Sequence, residues 1–133
     1  MQGTVTTVST PSITTYQDGS VTDNGIEYKS GKAINVTVTD TNGKVQTLAA
    51  GGTAVGSVAV YKFTDAINEA EIQVKGTTGA TAVTGTVTDN MFTFTPATEG
   101  FYAIQYLTTA ENTATNTPAA YAYKVVYVKA ATK

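Results

Sequence analysis

The clearest pattern in the chain is the strict alternation within residues 32–40, where Ile34, Val36 and Val38 stand between Asn35, Thr37 and Thr39. Successive side chains of a strand point to opposite faces, so a period of two predicts a half-buried strand with its aliphatic side inward. Phe92 and Phe94 repeat the pattern against Thr93 and Thr95 before Pro96 ends the run. In the next run, FYAIQYL, Tyr102, Ile104 and Tyr106 are expected to face the core, with Phe101, Ala103, Gln105 and Leu107 outward. The last run, AYAYKVVYVK, carries Tyr121, Tyr123, Val125 and Tyr127 on one face and Ala122, Val126 and Val128 on the other, interrupted by Lys124. Two neighbouring strands that are apolar on both sides need a cover on the outer side. That cover is expected to be the N-terminal arm, water around tyrosine hydroxyls, or a partner protein.

The other segments read less cleanly. Residues 4–16 alternate small β-formers around Pro11, which suits an edge strand or two short strands. Gly19 and Asn24-Gly25 signal turns, with a short strand at Ile26-Glu27-Tyr28. Asn42-Gly43 turns the 32–40 strand, residues 45–48 offer a return, and residues 49–52 form a flexible break. The run SVAVYKF has two phases, of which the aromatic one, Ala59, Tyr61 and Phe63, is expected inward. A helical turn is expected at residues 65–69, a strand at 70–74, a stop at 76–79 and a thin strand at 82–87. Val-Thr-Asp recurs at Val21, Val38 and Val87, each time with asparagine close behind, as at a strand end passing into an Asx turn. Strands at roughly ten-residue spacing predict an all-β antiparallel sandwich of about seven to nine strands. Residues 1–15 are expected as an extended arm or first strand and residues 16–133 as the sandwich.

Composition narrows the chemistry. The 133 residues suffice for one domain that buries roughly two thirds of its unfolded surface. There is no cysteine, histidine or tryptophan, and all eight basic residues are lysine. Disulfides and thiolate sites are excluded, and the usual neutral-pH base and imidazole ligand are missing. Without arginine, and with a net charge of −2, nothing favours nucleic acid. Charged residues are only 14% of the chain, while about one residue in five is threonine, which suits the solvent side of a pleated sheet. No window is apolar enough for a membrane-spanning helix. The opening MQGTVTTVST shows no secretory signal, so the protein is expected either to be used without export or to carry Met1 in place of a removed leader.

The segment Thr98-Glu99-Gly100-Phe101-Tyr102-Ala103-Ile104 resembles the acidic, glycine, x, tyrosine pattern that opens the sixth strand of immunoglobulin-like domains. The resemblance implies that Tyr102 is the corner tyrosine, flanked by Glu99 and Gly100, and that Ile104 and Val36 stand where antibody domains carry cysteines. Val60 or Tyr61 would replace the buried tryptophan. The threonine-rich, cysteine-free chain and its closing strand are more similar to bacterial and phage immunoglobulin-like domains. That likeness implies a non-enzymatic structural protein, such as a phage virion accessory or capsid-decoration protein at the virion surface. Its partners would be other protein subunits, in a capsid or surface lattice or a homo-oligomer. The alternative it implies is an adhesive or carbohydrate-binding module of an exported, cell-surface protein, with contacts from loops 51–56 and 110–118.

Candidate sites follow. Phe101, Ala103, Leu107, Tyr121, Tyr123 and Tyr127 are the expected protein-contact residues, because aromatic side chains are enriched at interface centres. Asp23-Asn24-Gly25-Ile26-Glu27 and Asp40-Thr41-Asn42-Gly43 place oxygen ligands around a glycine, as calcium loops do, but lack the twelve-residue spacing, so Asx turns are the expectation and no cofactor is assigned. Glu69 and Glu71 would share one strand face beside Asp65, without an aromatic cleft between them. No catalytic residue and no metal ligand is assigned.

Overall fold

The computed structural model describes residues 11–17 and 28–130. Among these residues ten strands form two sheets packed face to face, and one short helix lies outside them. The strands are β1 (Ser12–Gln17), β2 (Tyr28–Lys29), β3 (Ile34–Thr39), β4 (Ala49–Ala50), β5 (Ser57–Phe63), β6 (Thr81–Val83), β7 (Gly85–Thr88), β8 (Met91–Phe94), β9 (Gly100–Thr109) and β10 (Ala120–Lys129). The helix α1 spans Glu69–Lys75. One sheet runs β1-β3-β8-β7; the other runs β2-β10-β9-β5-β4, with β6 also on β5. The count exceeds seven to nine because three edge strands, β2, β4 and β6, have only two or three residues. Pairing is antiparallel except at two edges, where β2 joins β10 and β4 joins β5 in parallel.

The core forms where the alternation is strongest. Ile34, Val36 and Val38 from β3 and Phe92 and Phe94 from β8 meet Val58 and Val60 from β5, Tyr102, Ile104 and Tyr106 from β9, and Val126 and Val128 from β10. Val36, Val60 and Ile104 are all buried in this layer. The phase expected for β5 is corrected: Val58 and Val60 enter the main core, whereas Tyr61 and Phe63 face the outer side. Both faces of β5 are covered, so aromatic size did not decide which side was inside.

The segment 70–74 is helical, not a strand. Glu71, Ile72, Gln73 and Val74 alternate as a strand would, but the local signals are those of a helix. Asn68 accepts the Glu71 N–H at 2.8 Å, and the Glu71 carboxylate accepts the Asn68 N–H at 3.2 Å, a capping box. Gly76, at φ 72°, closes the other end by donating to the Ile72 carbonyl at 2.8 Å. Glu69 and Glu71 therefore flank a helix start and do not form a strand-face pair. Residues 82–87 are also corrected. They belong to two strands, β6 and β7, that pair in different sheets with Thr84 between them. At Gly85 a Cβ would lie 2.3 Å from Phe92 Cζ and 2.7 Å from the Thr93 carbonyl, so only glycine lets β7 approach β8. Asp89 and Asn90, at φ 53° and 63°, close the β7–β8 hairpin between paired Thr88 and Met91; positive φ at both central residues is the type I′ requirement.

The expected boundary between residues 15 and 16 falls inside β1, a single edge strand paired along its length with β3. Residues 45–48 form no strand and meet β3 through the Thr39–Val45 bridge and the Gln46 N–H, which donates to the Val38 carbonyl at 2.8 Å. The short strand at 26–28 appears only from Tyr28 onward, since Ile26 and Glu27 lie outside the described residues, as do Val21 and the 23–27 acidic loop. At the end of β1 the buried Gln17 amide reaches the other sheet. It accepts the Lys29 N–H at 2.8 Å and donates to the carbonyls of Lys29 at 2.8 Å and Lys32 at 3.1 Å. Beside it the buried hydroxyls of Thr15 and Tyr28 are hydrogen-bonded.

Candidate functional site

The outer face of the six-stranded sheet is built by the registers of β5, β9 and β10. Phe63, Phe101 and Tyr127 form one cross-strand row, Tyr61, Ala103 and Val125 the next, Ala59, Gln105 and Tyr123 the third, and Leu107 and Tyr121 the last. Helix α1 lies across this face, and its fully buried Ile72, together with Ile67 just before the N-cap, packs onto Phe63 and Ala103. Over Phe63 and Ala103 the cover is α1, while residues 1–10 of the arm lie outside the described residues. The polar side chains of α1 hold β10: Glu69 accepts the Val125 N–H at 2.8 Å and Gln73 donates to the Tyr121 carbonyl at 2.8 Å.

Two of the expected contact residues are corrected. Ala103 lies under α1 and Leu107 is 4% exposed, so neither reaches a partner. Phe101 is partly buried against Tyr127, with ring centroids 4.9 Å apart. Tyr127 is 41% exposed and donates to the Glu99 carboxylate at 2.5 Å, a bond that holds its phenol above its ordinary pKa. Glu99 is therefore engaged by β10. At the corner itself the buried Tyr102 hydroxyl donates to the Thr98 carbonyl at 2.6 Å. A side chain at Gly100 would meet the Lys62 stem and the Phe63 carbonyl.

The remaining open part of the face is a tyrosine patch beside α1. Tyr61, Tyr121 and Tyr123 are partly buried, with the Tyr121 and Tyr123 centroids 5.9 Å apart. The Tyr123 hydroxyl donates to Gln105 Oε1 at 2.8 Å. Burial, and then the neighbouring phenols of Tyr121 and Tyr61, push the Tyr123 hydroxyl up to about 12, so it stays a neutral donor. Tyr61 is not among the expected contact residues because the aromatic phase of β5 is expected inward; its alternation with Val60 and Lys62 is the signal for the outer face.

Elsewhere Asp40 serves a turn. Asp40 Oδ1 accepts the N–H groups of Asn42 and Lys44 at 2.8 and 2.9 Å, an Asx-type turn. Among the described residues no three acidic side chains gather as metal ligands would, and no helix is long and apolar enough to cross a membrane. Comparison with protein-family models, curated proteins and solved structures finds no match.

Proposed function

We propose that the protein is a non-enzymatic attachment domain of immunoglobulin-like type that docks onto a larger protein assembly through the outer face of β5, β9 and β10. The strand order β1-β3-β8-β7 against β10-β9-β5 supports the kinship, being the A-B-E-D against G-F-C order of such sandwiches. The observation that carries the docking reading is the patch of Tyr61, Tyr121 and Tyr123. Three rigid amphipathic rings, braced by α1 and Gln105, offer contact area at little cost in side-chain order. The finer reading is a virion accessory protein that decorates a capsid or similar lattice, which the low-charge, threonine-rich surface suits.

Mass spectrometry and cryo-microscopy of particles purified from the source test this reading. The expected result is the protein at symmetry-related positions with Tyr61, Tyr121 and Tyr123 in the contact. Absence from the particles, or contact through the four-stranded sheet, overturns it. So does turnover of any substrate by the pure protein.

A further inference from the structure

Among the described residues most strand edges are guarded. The β10 rim carries α1, with Glu69 and Gln73 bonded to its main chain. β1 is headed by Pro11, and β2, β4 and β6 have only two or three residues. The outer edge of β7 has no such guard, and residues 81–88, TAVTGTVT, contain no charge and no proline. The two-residue turn at Asp89-Asn90 makes Thr88–Met91 and Thr86–Thr93 the hydrogen-bonded pairs of the β7–β8 hairpin. The N–H and C=O groups of Gly85 and Val87 therefore point away from β8, and among the described residues nothing meets them. Side chains do not obstruct this edge. Gly85 has none, Val87 packs against the core, and Thr86 and Thr88 stand exposed on the outer face.

We infer that this edge pairs with the same edge of a second copy of the chain, antiparallel about a two-fold axis at Thr86. In that register Gly85 of each copy faces Val87 of the other, and all the outward groups are satisfied in two hydrogen-bonded pairs. An axis at Val87 does not achieve this, because it sets Gly85 against Asp89, whose φ of 53° takes it out of the strand. Thr86 then stands opposite its own copy, a cross-strand threonine pair, and no like charges meet because the run has none. The occupant follows from the edge itself: an uncharged strand whose outward groups are placed symmetrically about Thr86 is complementary to its own antiparallel copy. Such a contact is closed, joining two four-stranded sheets into one and using up the edge. Four residues a side bury well under the roughly 1,000 Å² of a stable interface, so the pairing is weak and forms at high local concentration. It lies on the other sheet from the tyrosine patch and joins copies to each other, so it stands whether or not that patch docks to an assembly.

Sedimentation equilibrium and amide hydrogen exchange of the full chain, at concentrations up to about 1 mM, test the pairing. The expected result is a monomer–dimer equilibrium in which the Gly85 and Val87 amides gain protection as concentration rises. Thr86→Lys and Thr86→Glu should each weaken dimerisation about tenfold, because like charges then meet at the axis. An equimolar mixture of the two variants should restore it, since the axis sets residue 86 against its own copy. Thr86 is exposed, so both variants keep the fold. A monomer throughout, a dimer unmoved by both substitutions, or a mixture no tighter than either variant alone would overturn the inference. So would protection that rises at residues 121–123 instead, which marks association through the tyrosine patch.

Discussion

The Gln17 side chain pairs with the backbone of Lys29 as another strand would, accepting its N–H and donating to its carbonyl at 2.8 Å each. This one amide joins the edge of the four-stranded sheet to β2 of the other sheet. Gln17→Ala leaves the Lys29 N–H and two carbonyls to find new partners in a partly buried place, and should cost about 2 kcal/mol. Urea unfolding should show it as a lower midpoint at unchanged slope.

Tyr102→Phe removes one hydroxyl that donates to the Thr98 carbonyl and leaves the ring in place. The expected loss is about 1 kcal/mol, the net worth of one such bond. An unchanged midpoint would mean that the corner does not depend on this bond.

Gly85→Ala drives a methyl group into the Phe92 ring and the Thr93 carbonyl. Overpacking of this kind costs about 2 kcal/mol. Because Phe92 is one of the two obstacles, Phe92→Leu should cost less in the Gly85→Ala background than alone, a coupling that a double-mutant cycle reads directly.

Ile72→Ala empties the one fully buried position of α1 and should cost about 3 kcal/mol. Val74, 89% exposed on the same helix, is the control: Val74→Lys should stay within about 0.5 kcal/mol. Hydrogen exchange adds a local readout. Glu69→Ala should speed exchange of the Val125 amide, whose acceptor is the Glu69 carboxylate.

Alkaline pH should destabilise the fold. Tyr28 and Tyr106 are pushed above their ordinary pKa by burial, which for Tyr28 outweighs its bond to Thr15, and Tyr123 is pushed up to about 12. The unfolded chain loses these protons near pH 10 while the folded chain keeps them, so their contribution is complete below pH 10 and lost as pH rises toward about 12. Lys124, held below its ordinary value by burial and partly restored by Glu69, acts in the opposite direction just under its usual pKa. Ultraviolet titration of tyrosinate should show a late-ionising phenol that disappears in Tyr123→Phe.

Much of this fold is legible in the residues, and where it is not the reason is physical. The β3 run, alternating Ile34, Val36 and Val38 with polar neighbours, has one dry and one wet face, so its period points inward without ambiguity. The β5 run SVAVYKF has two dry faces, and periodicity cannot rank them. In α1 the period-two run of Ile72 and Val74 conflicts with the Asn68–Glu71 capping pair, and backbone capping prevailed because the segment has no neighbouring strand to complete it. Gln17 carries no signature at all, since its amide is matched by backbone groups of a distant strand. Of the contact residues, Tyr121 and Tyr123 follow from alternation on β10, whereas the burial of Ala103 and Leu107 depends on what crosses above them.

The two side-chain bonds from α1 to the rim of β10 bear on how copies of this protein can be combined. With Glu69 and Gln73 occupying main-chain groups there, the sheet ends at that rim, and a neighbour cannot extend it by annealing its own backbone onto residues 121–125. At this rim, neighbouring copies would be stitched together by rings and loops meeting side on, as tiles are laid, and not by threading one continuous ribbon from molecule to molecule.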